Sequence, residues 1–369
     1  MVTISTCLTK KDLRTFESLP ERVQTSPQFV PPFPGSIAKI FQPKKTPFKH
    51  SKLFPFLALK AGQPVGRIAA IINPNHNAFH QDRVGFFGFF DFIDDAEVSR
   101  ALLNTAQEIL RTEGMNEMRG PFSPSINDEC GLLIDGYDAR PLVMMPYNPP
   151  YYLTHYEKLG LKRVHDLYAF TLSANHEAPE RIKKIVDRVK KRSGITIRNV
   201  DMKNLPRDLE IIRNLYNSTL ERNWGFVPLS KEEIEGAAED LKSIVDPSMV
   251  LIGERNGTPM GFSLTLPDIN EFMHSAGQSK GLLRILKFIW LLKTSHPKRA
   301  RLTALGVAPE FRNSGLAPVF YWETLARGKR QYTEGELSWV DETNKEIIHA
   351  IEVMGGKRNK TYRLFEATL

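Results

Sequence analysis

The chain has 369 residues, of which 41% are hydrophobic and 25% charged, with a formal net charge of +8. That length suggests two domains, and that balance excludes wholesale disorder and collagen-like or coiled-coil classes. The positive charge fits an anionic ligand such as a nucleotide, and equally nucleic acid or a membrane surface, so charge alone does not choose among them.

The cysteines are Cys7 and Cys130 alone, without a C-x-x-C or a Cys/His cluster, which argues against a disulfide scaffold and a zinc site. Met1 to Arg14 has no apolar core of the signal-peptide kind, and no run approaches the ~18 apolar residues of a membrane span. We therefore expect a cytoplasmic protein with no integral membrane contact and no metal.

Along the chain, Pro31–Pro34 and the prolines at 43 and 47 interrupt helix and sheet, predicting an irregular arm or lid. Residues 56–72 read as strand, tight turn and strand, and Val84–Phe92 as a further strand. The Pro- and Gly-rich stretch Arg119–Pro150 should break regular structure, and a helix and strand follow up to Leu172. The polar run Ser173–Pro179 predicts a linker, dividing the chain into domains 1–175 and 176–369.

Arg181–Arg192 mixes basic and apolar residues at helical spacing and reads as an amphipathic helix with a solvated face, not a nucleic-acid site. After a helix comes the aromatic loop Arg222–Val227, then a helix from about Ser230, and a second hairpin over residues 250–266. The apolar helix at 281–293 predicts either burial against the other domain or a membrane-surface or acyl-chain contact. A strand at 301–307 leads through a turn into a helix, and the strand Leu337–Val340 precedes Asn344 and a helix ending near Met354.

The two hairpins share a register. Gly62, Pro64 and Gly66 correspond to Gly257, Pro259 and Gly261, each pair 195 residues apart. At the same offset Gly160 falls on Gly355 and Arg163 on Arg358, while Asn148 and Asn344, and Tyr168 and Tyr362, miss it by one residue. The halves thus read as a duplication of one α/β fold.

The most specific chemical pattern is Arg312-Asn-Ser-Gly315-Leu-Ala317, set between strand and helix. Amide groups of a first helical turn lack intrahelical partners, and the positive end of the helix dipole favours an anion there. This pattern resembles the pyrophosphate loop of the GNAT superfamily, Arg/Gln-x-x-Gly-x-Gly/Ala. The resemblance implies two tandem α/β (α+β) domains, each a mixed, mostly antiparallel twisted sheet flanked by helices. It implies that Leu305 and Val307 pair with the pantetheine arm of acetyl-CoA or another acyl-CoA. Arg312, Asn313, Ser314, Gly315, Leu316 and Ala317 would then hold the pyrophosphate, with Asn344 close to the cofactor. Trp224 and Phe226 would border the acceptor.

Two departures qualify that likeness. After its equivalent strand the first half carries Ile93-Asp-Asp-Ala-Glu97 instead of the pattern, and carboxylates would repel a pyrophosphate. The first half therefore reads as degenerate. In the second, the tyrosine that many members place two turns after the Asn is replaced by Glu352 or a neighbour, leaving Tyr362 as a substitute acid and Glu271, Glu342 or Asp268 as bases. Cys130 has no evident His partner, so direct attack in a ternary complex is expected. The expected activity is N-acyl transfer, foremost N-acetyl transfer, to a small amine or amino acid. The alternatives are a non-catalytic acyl-CoA-binding or protein-interaction module, and a tandem GNAT-fold aminoacyl or fatty-acyl transferase.

Overall fold

A computed structural model describes residues 1–42, 46–279 and 281–369. Part of the expected proline-rich arm (residues 43–45) and Lys280 lie outside the described residues. The chain packs as two units, one of Met1–Leu167, Met273–Phe288 and Lys360–Leu369, the other of Tyr168–Phe272 and Ile289–Asn359.

In the first unit β1 (Val2–Thr6) pairs antiparallel with β2 (Lys52–Lys60), and α1 (Lys10–Ser18), α2 (Pro20–Val23) and α3 (Ser36–Ile40) stand between them in sequence. Regular elements thus stand on either side of Pro31–Pro34, which itself lies in irregular backbone as expected. Thr9 and Asp12 form a capping box on α1, which buries Leu13 and Phe16. Strand β2 turns into β3 (Gln63–Ile72) through Ala61 and Gly62, both at positive φ, as a two-residue turn matched to strand twist requires.

After α4 (Pro74–His80), β4 (Val84–Phe92) lies antiparallel to β3, and α5 (Ala96–Thr112) crosses to β5 (Glu117–Gly120), which runs parallel to β4. The Pro/Gly stretch breaks into the short strands β6 (Phe122–Ser123), β7 (Glu129–Cys130) and β8 (Leu132–Asp135), followed by α6 (Tyr151–Lys158) and β9 (Lys162–Ser173). Val98, Leu102, Ala106 and Leu110 of α5 pack with Ile68, Ala70 and Phe87 of the sheet in one core, which burial of apolar area stabilises.

The second unit continues with α7 (Glu180–Arg192), β10 (Ile195–Asn199), α8 (Leu205–Leu220), α9 (Lys231–Leu241), β11 (Val250–Arg255) and β12 (Thr258–Pro267). Helices α10 (Asn270–Gly277) and α11 (Leu282–Thr294) precede β13 (Arg299–Val307), α12 (Leu316–Gly328), β14 (Glu334–Asp341), α13 (Lys345–Val353) and β15 (Lys357–Thr368), with Met273–Phe288 of the helices and Lys360–Thr368 of β15 belonging to the first unit. Strands β10 to β14 lie side by side in the order 10-11-12-13-14, and all pairs are antiparallel but β13/β14.

Alternation along β11 splits the core. Val250 and Ile252 face Ile212, Leu215 and Ile234 of α8 and α9, whereas Leu251 joins Val186 of α7 and Leu316, Val319 and Phe320 of α12 on the other side. Each unit is therefore a mostly antiparallel sheet flanked by helices. Helix α7 has the amphipathic character its spacing predicts, and its apolar face closes over α12.

The duplication extends to backbone detail. A bulge lies between Ala58 and Leu59 in one hairpin and between Gly253 and Glu254 in the other, opposite Gly66 and Gly261. Positive φ recurs at Ala61 and Asn256, at Gly62 and Gly257, and at Gly160 and Gly355. The bounds of β9 and β15 coincide at the same 195-residue offset seen in the hairpins.

Candidate functional site

The site begins with a fork. Strand β13 pairs with β12 from Ala300 to Val307, but Leu264 opposes Ala304 while Thr265 opposes Leu302, leaving Thr303 as an extra residue. Such a bulge bends its strand. The Thr303 hydroxyl donates to the Leu264 carbonyl at 3.0 Å and fixes the bend. The parallel pairing of β13 with β14 runs from Arg299/Glu334 to Leu302/Leu337 and stops there, so the arms beyond it diverge. Leu305 and Val307 lie on one arm.

At the base of the fork a buried polar cluster joins the strands. Arg301 Nε donates to Ser338 Oγ at 2.9 Å and its Nη2 to the Ser338 carbonyl at 3.1 Å, while the guanidinium lies 4.7 Å from the Trp339 ring centroid. Ser338 Oγ donates to Glu336 Oε1 at 3.0 Å, and Glu336 is buried. Glu336 is not among the acids the sequence singles out, which are Asp268, Glu271 and Glu342. The usable signal was the two-residue spacing of Glu336 and Ser338, which puts both on one face of β14.

Beyond β13 a 3-10 turn over Pro309–Ser314 leads to Gly315, whose φ of 83° is the left-handed conformation that favours glycine, and then to α12. A Cβ on Gly315 would come within 2.6 Å of Val189 Cγ2 on α7. The Leu316 amide donates to Ser314 Oγ at 3.3 Å, Pro318 has no N–H, and among the described residues no side chain caps the Ala317 or Val319 amide. Arg312 and Asn313 are exposed beside this helix start.

The corresponding helix of the first unit, α5, starts differently. Asp95 accepts from the Glu97 and Val98 amides at 2.8 and 3.4 Å and pairs with Lys60 at 2.5 Å. The Lys60 hydrogen bond, together with those amides, holds the Asp95 carboxyl below the usual carboxylate range. Helix α5 thus carries its own anion where α12 is open to one from outside, and this is the physical content of the first half's departure from the loop pattern.

The other predicted residues separate into two groups. Asn344 is the N-cap of α13 and accepts from the Ile347 amide at 3.2 Å. The Trp224 amide donates to Asp341 Oδ2 at 3.3 Å, which ties the aromatic loop to the end of β14 beside half-buried Glu342. Phe226 is buried with its ring 6.3 Å from that of Tyr216, a packing position. Glu271 instead sits at the paired end of β13, accepting from the Lys298 amide at 3.0 Å and from Arg299 Nε at 3.4 Å. Tyr362 is wholly buried in the first unit, in register with Leu133 of β8.

An apolar cavity of about 90 Å³ lies between α12 and α13 over the paired part of β13 and β14, lined among others by Leu302, Tyr321, Leu325, Leu337, Ile351 and Met354. Among the described residues no group of three or more His, Cys, Asp or Glu is placed to hold a metal. No helix among them is long and apolar enough to cross a membrane.

A bulged strand that splays from its parallel neighbour and turns through a left-handed glycine into an uncapped helix, within a fold that occurs twice, defines a tandem GNAT-fold protein. No protein-family model matches the chain. It is 33% identical over 370 residues to protein YghO of Escherichia coli strain K12, covering 98% of this chain and 94% of that one. It is 32% identical over 372 residues to the bacterial ceramide synthase of Caulobacter vibrioides, covering 98% and 96%. A solved tandem GNAT protein from the clavulanic acid biosynthesis pathway shares the fold over 100% of this chain and 98% of its own, with a TM-score of 0.58 at 12% identity. The chain belongs to the family that includes YghO and the bacterial ceramide synthase, and it has the tandem GNAT fold.

Proposed function

We propose that the second unit transfers an acyl group from acyl-coenzyme A to an amine by direct attack in a ternary complex. The observation that carries this reading is the uncapped start of α12 at the mouth of the β13/β14 fork, set against the self-capped α5. In this reading the amides of Asn313 to Ala317 and the Arg312 guanidinium hold the pyrophosphate, for which helix-start donors and an arginine are suited. The pantetheine arm runs along Leu305 and Val307, with Asn344 opposite.

The amine attacks the thioester carbonyl, a C–N bond forms, the C–S bond breaks, and coenzyme A leaves as thiolate. The amine proton passes to a carboxylate, a role we assign to Glu342, and the Trp224 loop borders the acceptor. The reading gives no step to Glu271, which serves Arg299, or to Tyr362, which lies in a core. The duplicated domains are taken as 1–175 and 176–369, and the setting as cytoplasmic.

The apolar cavity between α12 and α13 favours a fatty acyl group over acetyl, because an alkyl chain gains by leaving water for such a lining. Likeness to a ceramide synthase points the same way and adds a long-chain amino alcohol as acceptor. The test is release of free thiol from acetyl- and long-chain acyl-CoA against a panel of amines that includes a sphingoid base. Release is expected only with both substrates present and faster with the long chain. Tight coenzyme A binding without turnover of any pair would make the chain a binding module instead.

A further inference from the structure

Helix α11 is built inside out. Its inward positions hold a buried arginine, Arg284, whose Nη1 and Nη2 donate to the two carboxylate oxygens of Glu21 at 2.7 and 2.6 Å, and a buried phenylalanine, Phe288, 5.4 Å from the Phe33 ring. Its outward positions hold Leu282, Leu283, Leu286, Ile289 and Trp290, exposed to 69, 68, 53, 42 and 60%. The spacing i, i+1, i+4, i+7, i+8 puts them on one helical face. Scattered apolar residues on a surface are ordinary, but five large ones in contiguity mark a surface that something covers.

Charge identifies what covers it. From Phe272 to Pro309 the sequence has no aspartate or glutamate, and of its seven lysines and arginines Arg284 pairs with Glu21, Arg299 with Asp268 and Glu271, and Arg301 is buried, so that four lysines supply the positive charge. On the helix itself Lys287 and Lys293 accompany the apolar face, and Lys287 Nζ is held by the Ser275 carbonyl at 2.6 Å. A protein surface offers charges of both signs, whereas a phospholipid leaflet offers negative headgroups directly above hydrocarbon. Leucines and an indole can sink to the acyl boundary while lysines stay at the phosphates. With 13 residues the helix is too short to span a bilayer, and an in-plane position is the one it fits.

We infer that α11 docks this protein on the surface of an anionic phospholipid bilayer, with Leu282, Leu283, Leu286, Ile289 and Trp290 inserted below the headgroups. This rests on α11 alone and is independent of the acyl-transfer reading. The test is flotation of the full chain with vesicles of phosphatidylcholine alone and of phosphatidylcholine mixed with phosphatidylglycerol. The wild type should float with the mixed vesicles, less with the neutral ones, and less again at high salt.

The triple variant Leu282→Gln, Leu286→Gln, Trp290→Gln alters exposed positions only, so its melting temperature should be unchanged while its partitioning falls by more than about tenfold. Lys293→Glu should weaken binding to the anionic vesicles and leave the neutral ones unaffected. The proposal is overturned if the wild type floats with neither, or if the triple variant floats as well as the wild type. A triple variant that turns a dimer into a monomer on size exclusion, without any vesicle binding by the wild type, overturns it too, because a second copy then covers this face.

Discussion

Gly315→Glu is expected to raise the dissociation constant for coenzyme A, measured by isothermal titration, by more than about a hundredfold, roughly 3 kcal/mol. Three effects act together. A side chain at φ 83° costs about 1–2 kcal/mol, its Cβ would meet Val189 Cγ2 at 2.6 Å, and the new carboxylate would stand where a diphosphate is to bind. The variant would in effect give α12 the arrangement that Asp95 gives α5. Arg312→Ala separates loss of the ligand from loss of the fold, because Arg312 is exposed. It should weaken binding about tenfold, by removal of a charge-assisted contact, and leave melting unchanged. A folded Gly315→Glu protein that binds as tightly as the wild type would sink the loop assignment.

The second large effect concerns stability. Asp208 on α8 is fully buried and accepts from Arg198 Nη1 and Nη2 at 2.6 and 2.9 Å, from the Asp201 amide at 2.8 Å, and from Arg207 Nε and Nη2 at 3.2 Å. Burial pushes its carboxyl up, but the Arg198 and Asp201 hydrogen bonds and the Arg198 charge outweigh it, so the group lies below the usual carboxylate range. Asp208→Ala should cost about 2–4 kcal/mol in urea unfolding. Arg198 is part-exposed and keeps Glu254 as a partner at 2.7 Å, which places the cost toward the lower end. Because the folded pKa is depressed, the stabilisation is present above the unfolded value of about 3.9 and is lost as pH falls through the folded one. The wild type should therefore lose stability relative to Asp208→Ala as pH drops below about 4. Parallel loss in both proteins would show that the Arg198–Asp208 pair is not what acid disrupts.

Elements with a local signature were legible in the sequence. The hairpins declared themselves through Gly62 and Gly257 in their turns, and the strand-to-helix passage through Gly315 through a left-handed position that few other residues accept. Helix α11 was legible as an apolar helix, with burial and a membrane-surface or acyl-chain contact both left open, since periodicity tells which residues share a face and not which face meets solvent. The fork was not legible at all. It depends on Thr303 having no partner position opposite it in β12, a matter of register between strands distant in sequence. Glu336 was missed for a related reason, since an acid on a strand reads as solvated until its neighbours are known. The prolines near the start pointed to an irregular arm, but they do not reveal that β1 is held by pairing with β2, more than forty residues on.

Strand β15 carries one more implication. Its residues Phe365 to Thr368 oppose Gly120 to Glu117 of β5, and Phe365 packs 5.1 Å from Tyr156 in the core of the first unit. Those ten residues, Lys360–Leu369, leave the ribosome more than two hundred residues after β5. The earlier half therefore waits, with an unfilled edge, through the whole synthesis of the later one, and a nascent chain halted in between exposes apolar sheet to chaperones and to other chains.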